Sequence, residues 1–231
     1  MNDFASKKSY SRIVTRGDIM REAMRIATNR NSSALVPLPC DFYARDPRAV
    51  GRGLLGKVLV RRQQRSLLTA RIVEVEAYLG EDDPAAHSHS GRTARNFVLF
   101  GPPGLTYVYF IYGNHFLFNV SCLPDGQAGG VLFRALEPMS GIAQMAKARG
   151  ISLAESNDLR ALTRGPGRLA EAFGITRERD NEKNLTSPKS DLFIVDDGFR
   201  PHRIEVTPRI GITKAADHPL RYIIAENKFV S

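Results

Sequence analysis

Two runs rich in aromatic and β-branched residues, Tyr107–Tyr112 and Phe116–Cys122, broken at Gly113-Asn114, constrain this chain more than any other feature. Such side chains suit the pleated, half-buried surface of a strand. A glycine beside an asparagine supplies the backbone freedom of a tight bend. The pattern predicts two strands meeting at that bend. Similar signals lie on both sides. Lys57–Arg62 and Arg71–Ala77 read as strands joined by a polar turn near Gln63–Ser66, Asp125-Gly126 marks a further turn, and Gly130–Leu136 reads as the next strand. Helical signals come later: Ser140 can cap a helix that Gly150 ends, and Gly165-Pro166 can open one that Gly174 terminates. Arg203–Thr207 and Arg221–Ala225 return to the sheet. Strands first, with helices packed around them, predict an α+β fold: a single domain with a curved, mainly antiparallel β-sheet core flanked by helices.

A chain of 231 residues can bury one sizeable core, and two full domains would be a tight fit. The expected division is a basic, flexible N-terminal extension over residues 1–37 and one domain over 38–231. Residues 1–35 hold seven Lys and Arg against three acids, supplying +4 of the net charge of +9. Ile19, Met20, Ala23, Met24 and Ala27 can line one face of a short helix there. A loosely held arm on a polyanion, an extension with no role, a wrongly chosen start codon and a transit peptide all fit, although the three acids argue against the last. The overall basic excess favours a polyanionic partner through phosphate neutralisation and counterion release. No apolar run approaches the ~20 residues of a membrane-spanning helix, and the N-terminus lacks a secretory apolar core. Cys40 and Cys122 have no metal-ligand spacing and read as reduced thiols of a cytosolic protein.

The stretch from Arg71 to Pro138 carries the candidate chemistry. Alternation puts Glu74, Glu76 and Tyr78 on one face of a strand. Taken alone, two alternating acids describe a solvated strand face. The loop Asp82-Asp83-Pro84-Ala85-Ala86-His87-Ser88-His89 follows. A His-x-His pair beside acids can hold a metal, but no third ligand at a sensible spacing follows, so no metal is expected. Tyr107 and Tyr109 share a strand face, where aromatics are usually core. Tyr112 sits beside Gly113 at the bend, where an exposed aromatic on a basic protein can stack on bases or wedge between them.

Four blocks stand out in order: Arg71-Ile72-Val73-Glu74-Val75-Glu76-Ala77-Tyr78-Leu79-Gly80, Ala85-Ala86-His87-Ser88, Tyr107-Val108-Tyr109-Phe110-Ile111-Tyr112-Gly113 and Leu132-Phe133-Arg134-Ala135-Leu136-Glu137-Pro138. Leu54-Leu55-Gly56, Gly165-Pro166-Gly167-Arg168-Leu169 and Arg209-Ile210-Gly211-Ile212 flank them. Together they cover nearly everything from about Asp41 onward, and the run resembles the alkyladenine (3-methyladenine) DNA glycosylase family. The resemblance implies that Glu76, and not Glu74, is the general base that deprotonates an attacking water, that Arg134 orients that water and Glu76, and that the Ile210 carbonyl is a third water ligand. It implies that Tyr78, His87 and Tyr109 wall a pocket for a flipped base, that the His87 N–H reads the base edge, and that Asn119 disfavours the guanine amino group. Tyr112 would fill the gap left in the duplex, with Arg92, Arg95, Asn114 and His115 along the DNA backbone.

These roles fit together chemically. A base inside a duplex offers no path for in-line attack at C1′, so the nucleotide must leave the stack. Alkylation at N3 or N7 makes a purine cationic, which an aromatic wall attracts. The glycosidic bond breaks through an oxocarbenium-like state that a nearby carboxylate stabilises. None of the matched positions is a lysine, so the expectation is a monofunctional hydrolase that leaves an abasic site, without an organic cofactor. Two departures from the family pattern, Asn114 where a larger apolar residue is usual and Ala94 where a proline is common, fall in segments expected on DNA. The expected partner is double-stranded DNA with damaged purines, met by a monomer with no obligate protein partner and no membrane. The expected place is the cytoplasm at the nucleoid, or the nucleus in a eukaryote. Two other classes stay open: a DNA-binding protein that recognises lesions without cutting, and a hydrolase or transferase acting on a free nucleoside or RNA.

Overall fold

The structure, a computed structural model, describes residues 35–231 except 64–65, 112 and 155–157. The expected helical face between Gly17 and Thr28, the tip of the turn after Gln63, and Tyr112 lie outside the described residues. Among the described residues, eight strands make one antiparallel, curved sheet: β1 (Val58–Gln63), β2 (Ser66–Tyr78), β3 (Thr106–Ile111), β4 (His115–Ser121), β5 (Gly130–Ser140), β6 (Leu192–Val195), β7 (Ile204–Thr207) and β8 (Arg221–Ile224). Short helices flank it: α1 (Cys40–Tyr43), α2 (Pro47–Leu54), α3 (Ile142–Ala148), α4 (Arg160–Thr163), α5 (Pro166–Ala172) and α6 (Arg177–Asp180). The fold is α+β, as the order of signals predicts.

The strand order is β3-β4-β5-β2-β1-β6, and β8 pairs with both β2 and β7. The 13-residue β2 is the spine. One edge pairs with β5 along most of its length, from Thr69 to Tyr78. The other edge pairs with β1 over Ser66–Arg71 and then with β8 over Glu74–Glu76. A strand can change partners in this way only if it bends, and bulges bend strands. The β2–β5 register breaks between Ile72 and Glu74, and again between Glu74 and Val75, where pairing steps from Ala135 to Phe133 and leaves Arg134 as the extra residue.

Period-two alternation then sorts the side chains. Val108, Phe118, Val120, Phe133 and Ala135 enter the main core, where Phe118 and Phe133 stack with centroids 4.6 Å apart. The alternate positions of β3, β4 and β5 line a cavity. α5 starts with Pro166 at its first turn and ends before Gly174, which takes a left-handed conformation, as its sequence signals predict. The Ser140 cap is corrected. Ser140 is the last residue of β5, and its hydroxyl bonds to the Leu67 carbonyl and to Thr69; Gly141 stands at the start of α3 without a side-chain cap. Cross-strand partners claim the hydroxyl that local reading assigns to the helix.

Gly80 ends the spine. Its φ is +87°, and a Cβ there would lie 2.0 Å from the Ala128 carbonyl oxygen. Gly80→Ala should therefore cost about 2–4 kcal/mol of stability, measured by urea unfolding.

Candidate active site

β2 delivers Glu74, Glu76 and Tyr78 to the cavity side of the sheet, and both carboxylates are fully buried. The solvated-face reading is therefore excluded by burial. The bulge in β5 aims Arg134 at the two acids. Its Nε donates to Glu74 Oε1 at 2.9 Å, and its Nη1 lies 3.1 Å from Glu76 Oε1.

The two acids are used differently. Glu74 Oε1 also accepts from Arg221 Nε at 2.6 Å and from the Ser231 hydroxyl at 2.9 Å, while Oε2 accepts the Ser231 N–H. Two guanidiniums and a backbone donor occupy this carboxylate. Glu76 Oε1 accepts the Ile210 N–H at 2.8 Å, and Oε2 accepts the Tyr78 hydroxyl at 3.0 Å. Because each carboxylate oxygen offers about two acceptor positions, Oε2 keeps one open among the described residues. Glu76 lies immediately beneath the cavity: Tyr78, Arg134 and Ile210, its three partners, all line it. The Ile210 carbonyl is itself 3.5 Å from Arg134 Nη1.

The cavity has a volume of about 470 Å³. One wall is aromatic. His87 packs edge-on against Tyr109 with centroids 4.5 Å apart, Tyr107 lies 5.3 Å from Tyr109, and the Tyr107 hydroxyl bonds to His87 Nδ1 at 2.9 Å. The surrounding protein, and then the positive charge of Arg95, hold the His87 imidazole below its ordinary pKa. Burial, then the neighbouring Glu76 carboxylate, push the Tyr78 phenol up, so it stays a neutral donor. Asn119 anchors its amide on the Tyr107 carbonyl at 3.1 Å. Among the described residues the His87 N–H has no hydrogen-bond partner, while its carbonyl is held by Asn96 Nδ2 at 2.8 Å. The start of α5 also lines the cavity, where Gly167 lies so near His115 that a Cβ would fall 2.8 Å from its ring.

The profile of methylpurine-DNA glycosylases matches residues 41–228. The chain belongs to that family. It is a DNA glycosylase, a hydrolase. A protein of Koribacter versatilis (strain Ellin345) named "Putative 3-methyladenine DNA glycosylase" is 66% identical over 197 residues, covering 85% of this chain and 94% of that protein. Proteins of the same name from Burkholderia cenocepacia (strain HI2424) and Methanoculleus marisnigri (strain ATCC 35101 / DSM 1498 / JR1) are 44% and 45% identical, covering 84% of this chain and 90% and 98% of theirs.

Placed in this glycosylase, Glu76, Arg134, Ile210, Tyr78, His87, Tyr109 and Asn119 surround one cavity or its floor. His115 is half-buried and also lines the cavity. Arg92, Arg95 and Asn114 are exposed, and the Arg95 guanidinium stands 5.6 Å from the Tyr109 ring centre. Sequence reasoning misses Tyr107 as a wall residue, although its alternation with Tyr109 signals it. It also misses Arg164 and Arg168 at the rim, the Asn96 clip and the buried Asp83–Arg209 pair. No local spacing announces these.

The two acids should respond differently to neutralisation. Glu74→Gln leaves Arg134 and Arg221 short of buried countercharge and should cost about 3–5 kcal/mol in chemical denaturation. Glu76→Gln should cost clearly less, because Arg134 keeps Glu74. Equal losses would reject the division.

Proposed function

We propose that this glycosylase flips alkylated or deaminated purines out of duplex DNA and hydrolyses the N-glycosidic bond with a water activated by Glu76, leaving an abasic site. The observation that carries the reading is the convergence beneath the cavity of a carboxylate with an open acceptor position, a guanidinium and a backbone carbonyl, facing an aromatic wall. The flipped base stacks among Tyr78, His87 and Tyr109. Each aromatic contact returns ~1–3 kcal/mol against the few kcal/mol of flipping. The His87 N–H, without a partner among the described residues, addresses the base edge, and Asn119 turns away the guanine 2-amino group. Tyr112 fills the vacated stack, while Arg92, Arg95, Asn114 and His115 lie along the DNA backbone.

The hydrolysis follows from charge. As the bond to C1′ stretches, the sugar acquires oxocarbenium character, and a carboxylate beneath it offsets that charge. Water donates one hydrogen bond to Glu76 Oε2, is aligned by Arg134 and the Ile210 carbonyl, and gives up its proton as it adds to C1′. The base leaves with the bonding electrons. A purine that is already cationic leaves as a neutral base, which makes alkylated purines the easier substrates. The enzyme acts on DNA as a monomer, in the cytoplasm at the nucleoid or in the nucleus of a eukaryote.

Two measurements test this. On a duplex carrying one hypoxanthine or 1,N6-ethenoadenine, alkali should cut at the lesion after incubation with the wild-type chain. Glu76→Gln should lower that scission at least about 100-fold with lesion binding retained. Scission that survives the substitution rejects Glu76 as the base, and no scission on any alkylated or deaminated purine rejects the reaction. The second test is pH. His87 is neutral above the ordinary imidazole value near 6.5 and gains its proton only as pH falls through its lowered value. Binding of a cationic 7-methylguanine duplex should therefore weaken only as pH falls below about 6.5, a step that His87→Gln removes.

A further inference from the structure

Against the Tyr78 ring, outside the lining of the cavity, lies a buried ion pair that the proposed hydrolysis does not use. Arg209 donates to Asp83 through both terminal nitrogens, Nη1 to Oδ2 at 2.5 Å and Nη2 to Oδ1 at 2.9 Å. Both residues are buried, at 5% and 1% exposure. The Arg209 guanidinium carbon stands 4.6 Å from the Tyr78 ring centre, and Tyr78 lines the cavity while Arg209 does not. The ring therefore has a cation behind it and the base site in front. Arg209 Nη1 also donates to the Ala77 carbonyl at 3.1 Å, and Asp83 accepts the Leu79 and Ala85 N–H groups at 3.1 Å each. Burial pushes the Asp83 carboxyl up, but Arg209 and these two N–H groups outweigh it and hold it below the ordinary carboxylate value.

An unpaired cation at this position would work against a cationic ligand. It would draw the π density of Tyr78 toward itself and weaken the attraction of the opposite face for positive charge. A base stacked at about 3.5 Å on that face would lie roughly 8 Å from the guanidinium, where an uncompensated like charge lowers binding about tenfold or more at the effective dielectric of a partly open site. Asp83 sits against the same guanidinium and cancels the charge. We infer that the Asp83–Arg209 pair is a specificity-determining device: by keeping the far side of the Tyr78 ring electrically neutral, it lets one stacking wall accept both cationic alkylated purines and neutral deaminated ones. The inference rests on the proposed function, because it takes Tyr78 as a stacking wall. Arg209 and Asp83 are positioning residues, since neither touches the cavity.

The test compares single-turnover excision from duplexes carrying cationic 7-methylguanine or neutral hypoxanthine, by wild type, Asp83→Asn, Arg209→Gln and the double variant. Asp83→Asn leaves the cation uncompensated and should lower the rate ratio of cationic to neutral lesion about tenfold. Arg209→Gln leaves Asp83 with its two backbone donors and an uncompensated negative charge, and should move the ratio the other way. The double variant restores neutrality and should return the ratio to within about threefold of wild type, even where both absolute rates are lower. A purely structural pair would lower both rates by the same factor in every variant, and that outcome overturns the inference. A ratio that shifts in the same direction in both single variants overturns it as well. Should the wild-type chain excise neither base, the proposed function fails and this inference with it; excision with an unmoved ratio overturns the inference alone.

Discussion

The rest of the site depends on one buried guanidinium. Arg134 stands between two carboxylates that the sheet removes entirely from water. Burying an unpaired carboxylate costs several kcal/mol, so β2 can carry Glu74 and Glu76 side by side only where cations meet them. Arg134 reaches both because it is the extra residue of a bulge in β5. Its own carbonyl accepts the Gly165 N–H at 3.0 Å, which seats the start of α5 against the cavity. One residue thus ties together the spine strand, the floor of the site and the start of α5.

That arrangement also divides labour between two chemically identical groups. Glu74 is bound by the guanidiniums of Arg134 and Arg221 and by Ser231, so it holds β8 and Ser231 to the spine. Glu76 is held at fewer points, and its partners are themselves the cavity lining. A reactive carboxylate needs such a setting: enough donors to fix its direction, and an acceptor position left for the group it is to deprotonate. The structural acid carries the load of burial, and its neighbour is left available.

Much of this architecture is legible in local sequence patterns. The hairpin of β3 and β4, the Arg71–Ala77 part of β2, the Gly130–Leu136 part of β5 and the Gly-Pro start and glycine end of α5 are written there, because turn chemistry and side-chain alternation act between near neighbours. The features that local patterns do not carry are non-local. α1 has no capping side chain, whereas the start of α2 is written locally in Asp46 and Pro47. Ser140 reads as a cap because its competing partners, Leu67 and Thr69, lie 73 and 71 residues away. The Asp83–Arg209 pair joins residues 126 apart. Tyr107 is legible as a strand aromatic, but its part in the wall depends on His87 from another loop.

By itself, then, the sequence determined that this chain makes an antiparallel-rich α+β fold, that Glu74, Glu76 and Tyr78 share one strand face, and that its ordered blocks resemble those of a glycosylase family. Each of these follows from period-two alternation, turn residues or block order, which are properties of neighbours along the chain. The tertiary structure decided which of two equivalent acids is held by two guanidiniums and which is held by the cavity's own lining. It also decided that the Ile210 backbone touches Glu76 across 134 residues and that Arg134 turns inward. The reason is that pairing register, bulges and buried countercharge are set by what the folded sheet brings together. Local periodicity, the same for Glu74 and Glu76, cannot distinguish them.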